Sequence, residues 1–430
     1  MTSKAIFVAS AAVALGTLYI LVRRRRRRPC SSYLSQAAGN ASLIAHRQFM
    51  IECYLNDVAE SASPPPRPPT PDAIRFCSWN LNVLCGPDWK TPVAAQDVAS
   101  VIASLDADVL VLQELPIDTL DVLWDESLRE PMARVRELDE ILRRMGFTTQ
   151  LRSLCENTTL LATKLAVTDT EAFTLDEAGP TASINGHEVW TESRGARYAM
   201  LVPPPTGDAG SARVPIACYA THLSHKDATL VKQPAAHAQV EVAAANGASA
   251  IDSSRASDDA LPSMRTLVGE WAGAREEGGV RMRQAATLLR HVDEHARAAA
   301  VGEGSLPMCT VVLADFNSPV RTHYDDEEWR VVSEGLNSPH VRQPLDDGVS
   351  TLMLSKGFRC AYGLSQRSGR NNFFGRPAPP FTHWTGTVVD FAYVRGDGWA
   401  VDGAYVHRTP LSDHLPVIVD LVPTLVSTVP

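Results

Sequence analysis

The chain has 430 residues, 45% apolar and 21% charged, enough to bury a core in one large domain or two smaller ones. Its formal charge is −9, yet residues 23–28 are six consecutive arginines; without them 34 basic residues face 49 acidic ones, a balance of −15. So acidic a body excludes general binding of long nucleic acid, which needs Lys and Arg against the phosphates, though not a short or tightly defined nucleic-acid substrate. The eight cysteines form no Cys-x-x-Cys pair, which speaks against a zinc site or a disulfide framework, and free thiols suit a reducing compartment.

From Ala5 to Val22 the chain runs 18 residues without a charge, directly before the arginine block. At ~1.5 Å per residue this makes a helix of ~27 Å, at the lower limit for spanning a bilayer. A cleaved signal peptide carries its positive charges before the apolar run; here only Lys4 precedes it. The pattern predicts an uncleaved transmembrane helix with the arginine side, and everything after it, in the cytosol. Its short length suits a thin membrane such as the endoplasmic reticulum or the outer mitochondrial membrane. Residues 1–29 are thus anchor and arginine block, and 30–73 a linker with one helix and then the stiff spacer "SASPPPRPPTPD". A folded domain is expected over 74–422, with a tail at 423–430.

Strands and helices alternate in that domain. "IRFCSWNLNVL" and "DADVLVLQEL" read as buried strands around a helical "AAQDVASVIASL". "ARVRELDEILRRMG" is a helix closed by glycine. "TTLLATKLAV", "RYAMLV" and "VPIACYATHL" read as strands. Residues 225–262 form an insertion rich in Ala, Ser and Asp without a period. "RMRQAATLLRHVDEHARAAA" sets Ala285, Leu288, Leu289, Val292 and Ala296 on one helical face. "CTVVLADFNSP", "TVVDFAYVRG" and "LPVIVDL" close the domain as strands.

Several of these strands finish in residues able to hold a metal or a phosphate: Asn80 and Asn82, Glu114, His222, Asp315 and Asn317, Asp390, and Asp413 with His414. Each alone reads as a turn former or a satisfied core residue. Together they point to ends that converge on one site. In extended chain, residues two apart share a face, so Asp315 with Asn317, and Asn80 with Asn82, would enter the site in pairs if the strands continue.

The motifs "SWNLN", "LQE", "THL", "ADFN" and "SDHLP", in that order, resemble the endonuclease/exonuclease/phosphatase superfamily, the fold of DNase I, from residue 75 to residue 421. The resemblance implies an α+β fold of two packed mixed sheets flanked by helices, a DNase I-like four-layer sandwich, here preceded by one transmembrane helix. It implies a phosphoesterase that cleaves a phosphodiester or phosphomonoester with metal-activated water. Glu114 would hold a divalent metal, Mg2+ or Mn2+, with Asp413 near it. Asn80 would orient phosphate or metal-bound water, and His222 would donate to a phosphate oxygen. Asp315 would position or deprotonate the attacking water, with Asn317 beside it on the phosphate, and Asp390 would orient His414. Asn82 would join Glu114 and Asp413 on the metal side, standing where many family nucleases have Asp, which removes an anionic ligand. "NTTLLATKLAV" resembles a further family segment and gives Asn157 a structural or site-lining role. In cationic form, His222 and His414 would stabilise transition-state charge.

Within the superfamily, the absence of a "WCDR" signature speaks against inositol phosphatases, and the acidic body against exonuclease III-like enzymes. The expected substrate is small, or one phosphodiester presented near the membrane, acted on by a monomer. A nuclease, tyrosyl-DNA-phosphodiesterase or deadenylase-like activity on nucleic-acid ends is the alternative, and a dead membrane scaffold a further one. Trp384, in "PPFTHWTG" with His383, either stacks on a base or headgroup or packs under the sheet.

Overall fold

The computed structural model describes residues 52, 54, 55, 58, 67, 68, 70, 72–115, 129–153, 158–176, 179–184, 187–191, 194–204, 214–224, 229–230, 280–300, 308–326, 329, 348–364 and 381–424. The apolar run at 5–22, the arginine block, Asn157, and all of the 225–262 insertion except Thr229 and Leu230 lie outside the described residues. No helix among the described residues is long and apolar enough to cross a membrane.

In chain order the elements are β1 (Ile74–Asn80), α1 (Ala95–Leu105), β2 (Val109–Leu115), α2 (Arg129–Arg144), β3 (Thr149–Arg152), β4 (Thr158–Thr163), β5 (Ala166–Asp176), β6 (Gly179–Ile184), β7 (His187–Thr191), β8 (Arg194–Val202), β9 (Ile216–His222) and β10 (Thr229–Leu230). Then follow α3 (Val280–Ala300), β11 (Cys309–Asp315), α4 (Val349–Ser355), β12 (Arg359–Cys360), β13 (Asp390–Arg395), β14 (Trp399–Val406) and β15 (Val417–Pro423). Two six-stranded sheets result, ordered β14-β15-β1-β2-β4-β3 and β12-β13-β11-β9-β8-β5, with β10-β7-β6 as a small third sheet. Both large sheets are mixed and built alike. Each has one parallel pair, β1 with β2 and β11 with β9, and antiparallel pairing elsewhere. A parallel pair needs a crossover, and α1 and α3 lie in the two crossovers.

The period-2 pattern sorts β1 into two faces. Ile74 and Phe76 join the core between the sheets, while Cys77 and Trp79 pack outward with Val98 and Ile102 of α1 and Leu138 and Leu142 of α2. Ser78 and Asn80 fall on the inward face, so β1 ends pointing between the sheets. The α2 helix closes as predicted: Gly146, at φ 94°, lets the Phe147 N–H reach the Leu142 carbonyl. The β3 strand, the β6–β7 hairpin and β14 were not legible. In β14 a bulge between Val401 and Gly403 breaks the alternation, and in β6–β7 another falls between Pro180 and Ala182.

Upstream of the proline-rich stretch, Tyr54 and Val58 are helical and fully buried in the core between the sheets. The Tyr54 hydroxyl donates to the Ser412 carbonyl at 2.8 Å, and its ring meets Phe381 edge-on at 6.1 Å. These two residues therefore pack as part of the folded body.

Candidate active site

Strand register assembles the first half of the site. Asp315, the last residue of β11, sits opposite His222 of β9 on one side and Asp390 of β13 on the other. Three functional groups from remote parts of the chain thus form one row at one sheet edge, all buried. Asp390 Oδ2 lies 2.9 Å from His414 Nδ1, which aims His414 Nε2 toward Asp315 Oδ2 at 3.7 Å.

The second half comes from the other sheet. Asn80, fully buried, donates from its amide nitrogen to Glu114 Oε1 at 3.1 Å and to Asp315 Oδ2 at 3.0 Å. Both amide hydrogens are engaged by carboxylates, so Asn80 holds the two acids together. Glu114 reaches this position against its strand's alternation. Val111 joins the core between the sheets, and Leu110 and Leu112 face the helices, so continued pleating would point Glu114 outward. A register break between Leu112 and Leu115, with Glu114 at φ 56°, turns the carboxylate inward. Such a left-handed backbone costs about 1–2 kcal/mol in an L residue.

Neither β1 nor β11 continues past its Asx residue, so the expected pairing by extended chain does not occur. Instead both ends use an Asx turn: the Asn82 N–H donates to Asn80 Oδ1 at 2.9 Å, and the Asn317 N–H to Asp315 Oδ1 at 2.8 Å. Asn317 still enters the site, its amide nitrogen 2.9 Å from His222 Nε2 and 3.1 Å from the Leu223 carbonyl. Asn82 does not. Its amide folds back onto the Gly86 carbonyl at 3.1 Å and holds the following loop, which makes it a loop residue in place of the expected metal-side ligand.

For Trp384 the packed alternative is the one observed. It is 3% exposed, and its backbone N–H donates to the Asp413 carbonyl at 2.8 Å. It packs beneath the site and offers no open face to a base or headgroup.

Several further participants were not among the expected site residues. Arg194, buried at the start of β8, sets Nη1 3.2 Å from His222 Nδ1. A guanidinium only donates, so this contact is a hydrogen bond when Nδ1 accepts, while His222 Nε2 lies 3.4 Å from Asp315 Oδ2. An imidazole accepts at one nitrogen, so Arg194 and the Asn317 amide compete for that lone pair. Ser412 ties the Asp413–His414 turn to β1 by donating to the Asn80 carbonyl at 2.8 Å. Trp89 donates its indole N–H to Asp413 Oδ2. The His383 ring lies tilted against that of His414, 4.5 Å between centroids. Ser412 opens the "SDHLP" motif and His383 lies in "PPFTHWTG", but no pattern in the sequence ties Arg194 or Trp89 to the strand ends, because each acts through a tertiary contact.

The electrostatics are those of crowded acids. Burial, reinforced by Asp390, pushes Asp315 up to about 7. Burial raises Asp413 to about 6, with Glu114 adding to it. For His414, burial favours the neutral ring, but the charges of Asp390 and Asp315 outweigh it and hold its pKa well above the usual value. His383 is half-buried, and desolvation beside that cation drives it well below its usual value. Two residue groups could hold an ion, His383–Asp413–His414 and Asp315–Asp390–His414. The geometry favours Glu114 as a ligand instead: it is 25% exposed and faces the cleft, whereas His414 is already committed to Asp390. Carboxylate and amide oxygens without thiolate are the donor set of a hard divalent cation, and carboxylates driven toward protonation are what such a charge relieves.

Buried acids for proton transfer, imidazole and amide donors for an anion, and oxygen ligands for a hard cation define a phosphoester hydrolase site. The chain belongs to the endonuclease/exonuclease/phosphatase family, whose model matches residues 77–414. Solved structures similar to it include an endonuclease/exonuclease/phosphatase protein of Beutenbergia cavernae, at 15% identity over 82% of this chain and 72% of that one, with a TM-score of 0.45. The human Nocturnin catalytic domain with bound sulfate is 15% identical over 83% of this chain and 95% of its own, with a TM-score of 0.42. TDP2 of D. rerio, complexed with a single-strand DNA product, is 13% identical over 82% and 99%, with a TM-score of 0.39. Among curated proteins none matches the chain.

Proposed function

We propose that the cleft hydrolyses a phosphate ester, with Asp315 taking the proton of the attacking water. The observation that carries this reading is the register of His222, Asp315 and Asp390 in one row, facing Asn80 and Glu114 from the second sheet. A base whose pKa lies near 7 is poised for proton transfer at neutral pH. His414, held cationic by Asp390, donates from Nε2 to the phosphoryl group. Asn317 and the Nε2–H of neutral His222 bind its remaining oxygens, and an oxygen there ends the competition between Asn317 and Arg194. Glu114 is the residue to hold Mg2+ or Mn2+, with Asp413 adding negative charge nearby; the ion when bound withdraws charge from the phosphoryl oxygens.

The acidic body supports a substrate that is small, or a single phosphodiester, over bulk duplex DNA. The uncharged run before six arginines supports tethering of a monomer to a thin membrane with the catalytic domain on the cytosolic side. Protease added to the cytosolic face of sealed vesicles should then digest that domain, and protection would refute the topology.

Catalysis is tested on the full chain in detergent, because Tyr54 and Val58 belong to the core and a cut at residue 70 would remove them. Turnover of simple phosphate mono- and diesters with Mg2+ or Mn2+ should stop in EDTA and in Glu114→Ala. Full activity in either condition would sink the assignment of Glu114.

A further inference from the structure

The turn after Phe381 carries an imidazole that the proposed chemistry does not use. The Trp384 N–H donates to the Asp413 carbonyl at 2.8 Å, and the Leu415 N–H to the Thr382 carbonyl at 2.7 Å. These bonds lay the turn antiparallel to the Asp413–His414 segment, with His383 opposite His414. Gly386, at φ 78°, closes the turn by donating to the His383 carbonyl at 2.9 Å. Side-chain bonds then fix where the His383 ring proton sits. Nδ1 lies 2.6 Å from Thr385 Oγ1, which lies 2.8 Å from Thr387 Oγ1. Both threonines are buried, and a buried hydroxyl hydrogen needs an acceptor. Among the described residues each finds one only if Thr387 donates to Thr385 and Thr385 to Nδ1; the opposite direction strands the Thr387 hydrogen. The neutral ring therefore carries its proton on Nε2, and no described residue accepts it. Desolvation beside the His414 cation keeps the ring neutral. With its lone pair taken by Thr385, the ring is a hydrogen-bond donor and not an ion ligand.

We propose that His383 is a further catalytic residue, whose Nε2–H binds the oxygen of the leaving group. The proposal rests on the phosphoester reading, which puts the attacking water at Asp315. His414 shares one group of polar atoms within 4.8 Å of one another with Asp315 and Asp390, and a second with His383 and Asp413; among the described residues no such group joins His383 to Asp315. The base and His383 thus flank His414. In an in-line displacement the leaving oxygen stands opposite the attacking one, which is the side His383 occupies. The bond from water oxygen to phosphorus forms as Asp315 takes the water's proton. The ester P–O bond breaks, its electron pair stays on the departing oxygen, and solvent protonates that oxygen. His383 keeps its own proton throughout and stabilises the charge on the departing oxygen, as a neutral imidazole donor can.

The test compares methyl 4-nitrophenyl phosphate with methyl phenyl phosphate, which differ only in how readily the aryl oxygen departs. Both are assayed on the full chain in detergent with Mg2+ or Mn2+. In His383→Ala, kcat/KM for the phenyl ester should fall about a hundredfold, and for the nitrophenyl ester, whose oxygen needs little help, by about threefold or less. Thr385→Val, which frees Nδ1 to take the ring proton, should show the same bias on a smaller scale. Nitrogen-15 NMR of the wild-type ring should place the proton on Nε2. Equal losses on the two esters would overturn the role, since a merely structural defect slows both alike. A ring proton on Nδ1 in the wild type would also overturn it, and this readout needs no variant to fold. If the wild type turns over neither ester, the phosphoester reading fails and the role of His383 with it. If it turns over both and the variants lose them equally, only the role of His383 fails.

Discussion

The ends of β1 and β11 are the same backbone device used twice. Each strand is central in its sheet, with one parallel and one antiparallel neighbour. Each ends in an Asx turn: Asn80-Leu81-Asn82 in one, Asp315-Phe316-Asn317 in the other. The middle residue is buried in both, and the closing asparagine has positive φ, 45° at Asn82 and 50° at Asn317. Their uses differ. Asn80 is a neutral donor that aligns two carboxylates, whereas Asp315 is the acid being aligned. Asn82 folds back to hold a loop, whereas Asn317 reaches His222. The neighbouring strand makes the difference. Asp315 lies opposite His222 in register, but Asn80 lies opposite Gln113, and Glu114 arrives only through a bulge. Local chemistry shapes the turn, and the register of the next strand decides what the turn does.

The largest effect should come from Asp315→Asn, which removes the base at the β11 end: kcat should fall by about 10²–10⁴ with the fold retained, measured by steady-state kinetics and circular dichroism. Glycine swaps separate the two asparagines, because glycine accepts the positive φ and deletes only the amide. Asn317→Gly should lower kcat by about a hundredfold or more. Asn82→Gly should leave turnover nearly intact and shift Tm by only about 2 °C. Equal kinetic losses in both would show that the two turns are not functionally distinct.

A third prediction concerns pH. Asp315 at about 7 and Asp413 at about 6 lie above the 3.8 of an ordinary aspartate, so the native state holds more protons than the unfolded chain between them. Stability in EDTA should therefore fall as pH rises from about 4 to 7, and the raised pKa of His414 acts in the same sense, its contribution being lost as pH climbs through that value. Activity should move the opposite way, because Asp315 must be ionised to act as base. Asn80→Ala removes a hydrogen bond that favours ionised Asp315, so the acid limb of the rate profile should shift to higher pH. A Tm that rises across this window would contradict the assigned titrations. The smallest effect is expected at Tyr54→Phe, which loosens only the β1 side, where Ser412 holds the Asn80 carbonyl: a loss of about 1 kcal/mol in chemical denaturation.

Residue pattern alone located the strands that matter and the polar residues at their ends, because buried strands leave apolar runs and a site at their ends leaves Asp, Asn, Glu and His in place of the next apolar residue. Five such motifs in order also sufficed to name the family and to expect two sheets. Periodicity said nothing of which strand lies beside which, and that is where the site is made. The register that sets His222, Asp315 and Asp390 in a row is a property of pairing between segments far apart in the chain. The inward turn of Glu114 depends on a backbone angle that glutamate rarely takes, so alternation alone would have aimed it at the helices. Asn82 and Asn317 are alike in sequence context and differ only in what stands within reach of their amides. The two alternatives for Trp384 could not be separated in the sequence either, because exposure is decided by packing, and packing buried it.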